Sequence, residues 1–201
     1  MKFALIILIG YLMGSIPSAL IIGKVFYKTD VRQHGSHNLG GGNTGRVLGK
    51  KAGVSVMTLD ILKVAFVVLL AIRIVGTDIG IICGSLAAGI GHCYPVWARF
   101  KGGKAVATMY GYLFGLFVFA SYSPWVFFLP LITFMIVLYF TKIVSLSSMI
   151  SAIVVTVFMF IISDSLPISI ALAIFALLII VRHRKNIERM LKHEENKVTW
   201  I

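Results

Sequence analysis

Long apolar stretches alternate along this chain with short polar segments rich in glycine and basic residues. Seven stretches are apolar nearly throughout: residues 3–23, 53–75, 79–91, 106–120, 124–141, 146–163 and 166–181. A helix needs about 20 residues to cross roughly 30 Å of hydrocarbon at about 1.5 Å per residue. The first two stretches meet that length, the third and fourth are short, and only a few residues separate the last three. The pattern predicts an all-α integral membrane protein of about seven transmembrane helices, or five if some stretches merge or re-enter. Pro17 falls inside the first stretch and should bend or loosen its helix. That stretch runs on into a basic loop, so it reads as an uncleaved first span rather than a secretory signal.

Composition agrees. Hydrophobic residues make up 59% of the chain and charged residues 13%, against roughly half and a quarter in soluble domains. No compact soluble fold of 201 residues hides that much apolar surface. Basic residues then set the orientation. Of the 19 lysines and arginines, 16 fall between spans one and two, three and four, and five and six, or after the seventh. The other side receives Lys2 and Arg73, beside Asp78 and Asp164, and Lys63 lies within a span. Positive-inside bias places the N-terminus outside and the C-terminus in the cytoplasm. The net charge of +12 follows from that topology and needs no nucleic-acid partner. Cys83 and Cys93 are ten residues apart on one helix, about 15 Å and beyond disulfide reach. No metal-ligand spacing or cofactor motif stands out, and the chain reads as a single domain over residues 1–201, with cytoplasmic loops about 24–52 and 92–105 and a tail at 182–201.

The candidate chemistry is confined to those inner segments. The first loop carries Ser36, Asn38, Gly40, Gly41, Gly42, Asn43, Gly45, Arg46 and Gly49. Glycines there let backbone amides converge on an anion. Asn43 can cap a short helix starting near Thr44, and Arg46 would bring a guanidinium suited to phosphate oxygens. Gly40, Gly42 and Gly45 fit G-x-G-x-x-G, but a span precedes them where a dinucleotide fold needs a strand. In the second loop, Lys101 and Lys104 flank Gly102 and Gly103, and His92 ends the third span. Asp60 and Lys63, three apart on the second span, share a face and read as a structural ion pair. In the tail, His183, Asn186 and Arg189 recur every third residue.

Together these segments resemble the acyl-phosphate:glycerol-3-phosphate acyltransferases of the PlsY type. The first family motif is similar to Ser36, Asn38, Gly40, Asn43, Arg46 and Gly49, continuing to Asp60 and Lys63. Another resembles Gly91, His92, Pro95, Phe100 to Lys104 and Val106 to Thr108, and a third resembles His183, Asn186, Ile187 and Arg189. Shorter likenesses are the Gly14–Ala19 segment of the first span and the residues from Thr141 to Ser148. Gly41 and Gly42 stand where the family more often has Ala or Ser, then Thr. Val64, Ala105 and His193 replace common glycines.

The resemblance implies transfer of a fatty acyl group from acyl phosphate to the sn-1 hydroxyl of glycerol 3-phosphate, giving lysophosphatidate and phosphate. The implied partners are those two substrates and inner-leaflet lipid, at the bacterial cytoplasmic membrane, with no obligate protein partner. Arg46 and Lys104 are assigned to phosphates, and Ser36, Asn38 and Asn43 to orientation. His183 and Asn186, with Arg189, are assigned to glycerol 3-phosphate. Gly40, Gly41, Gly42, Lys101, Gly102 and Gly103 complete the binding set. His92, His183 or a substrate phosphate oxygen would take the hydroxyl proton. The rival readings are an anion or organophosphate transporter, which needs polar groups on several spans near the midplane, and a non-catalytic subunit that binds anionic lipid.

Overall fold

A computed structural model describes residues 1–163 and 165–198 of the chain. Asp164, assigned above to the outer side, lies outside them, as do the last three residues of the tail. The elements are α1 (Lys2–Gly14), α2 (Ser18–Tyr27), α3 (Gly41–Leu48), α4 (Lys50–Ile74), α5 (Asp78–Cys93), α6 (Val106–Phe119), α7 (Trp125–Thr141), α8 (Val144–Ile162), α9 (Leu166–Arg182) and α10 (Arg184–Leu191). Short 3₁₀ turns occupy Val31–Gln33 and Val96–Ala98, and there is no strand among the described residues. Every apolar stretch is helical.

The first stretch is broken between α1 and α2, where Pro17 offers no N–H and its ring crowds the preceding turn. Turned out of the helical ladder at the break, the Ile16 carbonyl accepts from Ser18 N at 3.1 Å and from Lys63 Nζ at 3.0 Å. Taken across the break, Lys2–Tyr27 is 26 residues long. With Lys50–Ile74, Asp78–Ala98 and Val144–Ile162 it makes four helices, among the described residues, long and apolar enough to cross a membrane. α9 and α10, bent by 58°, supply a fifth if counted together. At 14 and 17 residues, α6 and α7 reach about 21 and 25 Å, less than the roughly 30 Å of a hydrocarbon core. Length therefore yields four or five spans from the seven apolar stretches.

Small residues bring the helices together. Gly10 and Gly14 of α1 press on the backbone of Gly84 and Ala88 in α5, where a methyl group would overlap it. Gly111 and Gly115 of α6 lie in the same way on Ile61, Val64 and Val68 of α4. Such contacts suit a lipid solvent, in which helices gain little from burying apolar surface and much from close packing. Tyr112, Leu113, Leu116, Leu172 and Phe175 form the fully buried centre, with Tyr112 and Phe175 stacked at 5.5 Å. The outward faces stay apolar, as at Leu8, Phe140, Ile161 and Leu177. Val198 N donates to Lys142 O at 2.8 Å and returns the tail to the α7–α8 corner.

Two of the positions that depart from the family's glycines have left-handed backbone: Ala105 at φ 61° and His193 at φ 57°. Such a conformation costs an L-residue about 1–2 kcal/mol. Ala105→Gly and His193→Gly should each stabilise the protein by about 1 kcal/mol net of glycine's unfolded-state entropy. Thermal unfolding in detergent would show it as a raised Tm for both variants.

Candidate functional site

The α5–α6 connection, α8, α10 and the tail meet around one carboxylate. Lys104 Nζ donates to Asn186 Oδ1 at 2.6 Å. Asn186 Nδ2 donates onward to Glu195 Oε1 at 2.5 Å, which also accepts from Ser145 Oγ at 2.8 Å. Arg189 Nε donates to Glu195 Oε2 at 2.7 Å. A donor on one side of the amide and an acceptor on the other fix which way Asn186 points. Burial opposes ionisation of Glu195, yet donation from Asn186, Arg189 and Ser145 holds its carboxyl below the ordinary range.

Lys104 is pushed down to about 8, chiefly by burial. Glu195 works against that shift, while Arg189, Arg46 and Arg182 add to it. A partly desolvated ammonium among guanidiniums is short of negative charge, and an anion entering here would relieve it. His183, buried where α9 turns into α10, donates from Nδ1 to Ile179 O at 2.8 Å. A carbonyl can only accept, so Nδ1 carries a proton, and burial, which pushes the ring down to about 4, leaves Nε2 its lone pair.

A second polar layer lies within the bundle. Asp60 and Lys63 form an ion pair at 2.7 Å, both buried. Ser18 Oγ donates to Asp60 Oδ1 at 2.9 Å, and Lys63 Nζ lies 3.3 Å from His92 Nδ1. The backbone of His92 holds the glycine pair, with Gly103 N donating to His92 O at 2.9 Å. Side chains at these glycines would overlap His92 O at Gly102 and the His92 ring at Gly103. Their close approach is to the end of α5. Arg182 closes the turn from outside: its Nε donates to Gly103 O at 3.1 Å, and its guanidinium lies 5.0 Å from the Tyr94 ring centroid.

The first loop departs from expectation in detail. α3 begins at Gly41, with Gly40 extended before it, so Asn43 sits inside the helix instead of capping one near Thr44. Its side chain reaches back to fasten the loop. Asn43 Oδ1 accepts from Ser36 N at 2.7 Å, and Nδ2 donates to Val31 O and His34 O at 2.9 and 3.2 Å. An amide with three loop groups in reach satisfies more backbone there than a cap would. Gly41 lies against Gly53 and Met57 of α4, whereas Gly42 faces open space. Positive φ in this loop occurs at Lys28, Gly35, His37 and Gly49 rather than at Gly40, Gly41 or Gly42.

Lys104, Asn186 and Arg189 are thus brought into one hydrogen-bonded group, with Arg46 and His183 in its electrostatic field. Ser36, Arg46 and Lys101 are exposed and Asn38 is half-buried; no hydrogen bond ties them to the group among the described residues. Sequence reasoning passed over Glu195, Ser145, Arg182 and Ser18. Ser145 lies in a segment already noted for its resemblance. Glu195 had one usable signal: it is a carboxylate in a tail dominated by cations.

The chain matches the glycerol-3-phosphate acyltransferase family over residues 4–193. It is 46% identical over 198 residues to a glycerol-3-phosphate acyltransferase of Geobacillus kaustophilus, covering 98% of this chain and 96% of the relative. Glycerol-3-phosphate acyltransferase 2 of Bacillus anthracis is 46% identical over 194 residues, covering 96% of this chain and 98% of the relative. A crystal structure of PlsY (YgiH), an integral membrane glycerol 3-phosphate acyltransferase in its glycerol 3-phosphate form, superposes with a TM-score of 0.91 at 34% identity, covering 99% of this chain and 96% of that one. Its lysophosphatidic acid form gives 0.89 at 33%, with the same coverage. A likeness that spans nearly the whole chain shows that it belongs to the glycerol-3-phosphate acyltransferases, as an all-helical integral membrane protein.

Proposed function

We propose that this protein moves a fatty acyl group from acyl phosphate to the sn-1 hydroxyl of glycerol 3-phosphate, releasing lysophosphatidic acid and inorganic phosphate. The observation that carries the reading is the half-buried Lys104, held by Asn186 and short of negative charge among Arg46, Arg182 and Arg189. Both substrates bring phosphate, and one of them is a membrane lipid. A cationic group at the end of an apolar bundle suits the pair.

In this reading Arg46 and Lys104 bind phosphate oxygens, and Asn186 and Arg189 orient glycerol 3-phosphate. His183 Nε2, with its lone pair free, accepts from the attacking hydroxyl. The hydroxyl oxygen bonds to the acyl carbon, the carbon–oxygen bond to phosphate breaks, and inorganic phosphate departs with the charge that the cations stabilise. Acyl phosphate is already activated, so positioning and charge stabilisation supply the catalysis. No acyl-enzyme forms on this route. Cys93 is buried and Cys83 only partly exposed, and among the described residues no base is hydrogen-bonded to either thiol to activate it. The site faces the cytoplasm of a bacterial cell, with the N-terminus outside. What supports that orientation is the concentration of basic residues in the loops beside the site.

The pure protein should release inorganic phosphate from acyl phosphate only when glycerol 3-phosphate is present, and acyl-CoA should not replace the donor. Arg46→Ala and Lys104→Ala should each lower kcat/KM by about 10- to 150-fold, the equivalent of losing a charge-assisted bond of roughly 1.5–3 kcal/mol. Comparable turnover with acyl-CoA, or near-normal Lys104→Ala, would sink the reading.

The ordinary lysine value of 10.5 is lowered to about 8 at Lys104. The charged form is the one that binds phosphate, and it is lost as pH rises through that value. For glycerol 3-phosphate, kcat/KM should therefore be level just above neutrality and decline past about pH 8. A profile still level about two pH units higher would count against the assignment. Orientation has its own check: single cysteines at Gly76 and Lys197, in a Cys83→Ser/Cys93→Ser background, should react with impermeant reagent from opposite sides of sealed vesicles.

A further inference from the structure

Lys63 has a task that the ion pair alone does not explain. It lies within the second span, its ammonium is ion-paired with Asp60 Oδ1 at 2.7 Å and donates to Ile16 O at 3.0 Å, and its third contact is His92 Nδ1 at 3.3 Å, which stands 3.8 Å from Asp60 Oδ1, beyond hydrogen-bond reach. A lysine bound to a carboxylate is an ammonium and has only protons to offer. His92 Nδ1 must therefore accept, which places the ring proton on Nε2. That atom has no hydrogen-bond partner among the described residues. It lies against Gly103, where even a methyl group would overlap it. The same residue's carbonyl holds Gly103 N at 2.9 Å, and Lys104 follows directly.

We infer that Asp60 and Lys63 are positioning residues that fix His92 as a neutral hydrogen-bond donor beside the Gly102–Gly103–Lys104 turn, where Nε2–H meets an anionic oxygen of the substrate. The inference rests on the acyltransferase reading for what that anion is, but not for the state of the ring. It removes His92 from the candidate proton acceptors, because the one lone pair on its ring is turned toward an ammonium. It also sets the two buried histidines to opposite tasks: His92 presents a proton to the site and His183 a lone pair. Ser18, donating to Asp60 at 2.9 Å, completes the carboxylate's partners and ties the support to the start of α2.

The test begins with the unaltered protein, since removing either half of a buried pair can prevent folding. Ring-¹⁵N-histidine protein in lipid is studied by solid-state NMR, with His92→Phe and His183→Phe assigning the two buried rings. His92 should show its proton on Nε2, and His183 on Nδ1. Adding glycerol 3-phosphate should shift the His92 Nε2 resonance. A His92 ring protonated on Nδ1 overturns the inference, as does an Nε2 resonance that does not respond to saturating ligand. Kinetics give the second arm. His92→Phe and Lys63→Met should each lower kcat/KM for glycerol 3-phosphate by about 10- to 100-fold, and the double variant should lose little more than His92→Phe alone. Losses that multiply would show that Lys63 acts apart from His92, and the inference would fall. An inactive wild-type protein with the expected ring protonation would instead count against the acyltransferase reading.

Discussion

An aspartate and a lysine three residues apart inside an apolar helix stay charged only if each lone pair and proton finds a partner. Here the partners come from three places: Ser18 at the start of α2, the Ile16 carbonyl released by the Pro17 break, and the His92 ring at the end of α5. The pair thereby joins α1, α2, α4 and α5 at one level. Removing one member of such a pair costs about 3–5 kcal/mol, because the other is left buried and unpaired. The break in the first helix and the charges in the second are therefore one feature. A straight first helix would keep the Ile16 carbonyl for itself.

The glycine turn and its lysine sit on that support. Gly102 and Gly103 close on His92, Arg182 holds the Gly103 carbonyl from outside, and Lys104 is left to reach Asn186. The tail completes the arrangement by bringing Glu195 back to three donors from α8 and α10. Without that carboxylate, Lys104 and Arg189 would face one another with nothing to offset their repulsion. The polar groups thus form two layers, one buried around the Asp60–Lys63 pair, the other half-open and short of anions.

Much of this was legible along the chain. Apolar runs of helical length, bounded by basic loops, located the helices of the bundle to within a few residues, because in a bilayer hydropathy and backbone satisfaction constrain the chain so strongly. The spacing of Asp60 and Lys63 put them on one face. Pro17 marked the break. Grouping the basic and polar residues into three loop segments was enough to suggest the family, and Lys104, Asn186 and Arg189 do meet. The small-residue spacing of Gly10 and Gly14 was also there to be read, as a face prepared for close helix contact.

The tertiary structure alone decided who meets whom. Glu195 is one of three glutamates in a basic tail until the bend after α9 turns it toward Ser145, fifty residues earlier in the chain. Asn43 reads as a helix cap by residue type, but the geometry of the loop offers its amide three backbone partners and the helix starts without it. Glycines read along the chain as an anion cradle are also in close packing contact, against α4 at Gly41 and against His92 at Gly103. The tautomers of His92 and His183 depend on whether an ammonium or a carbonyl happens to face Nδ1. Local sequence sets period, hydropathy and charge, which act over one or two helical turns. Hydrogen bonds and ion pairs act over about 3 Å, and only the packed bundle brings distant residues that close.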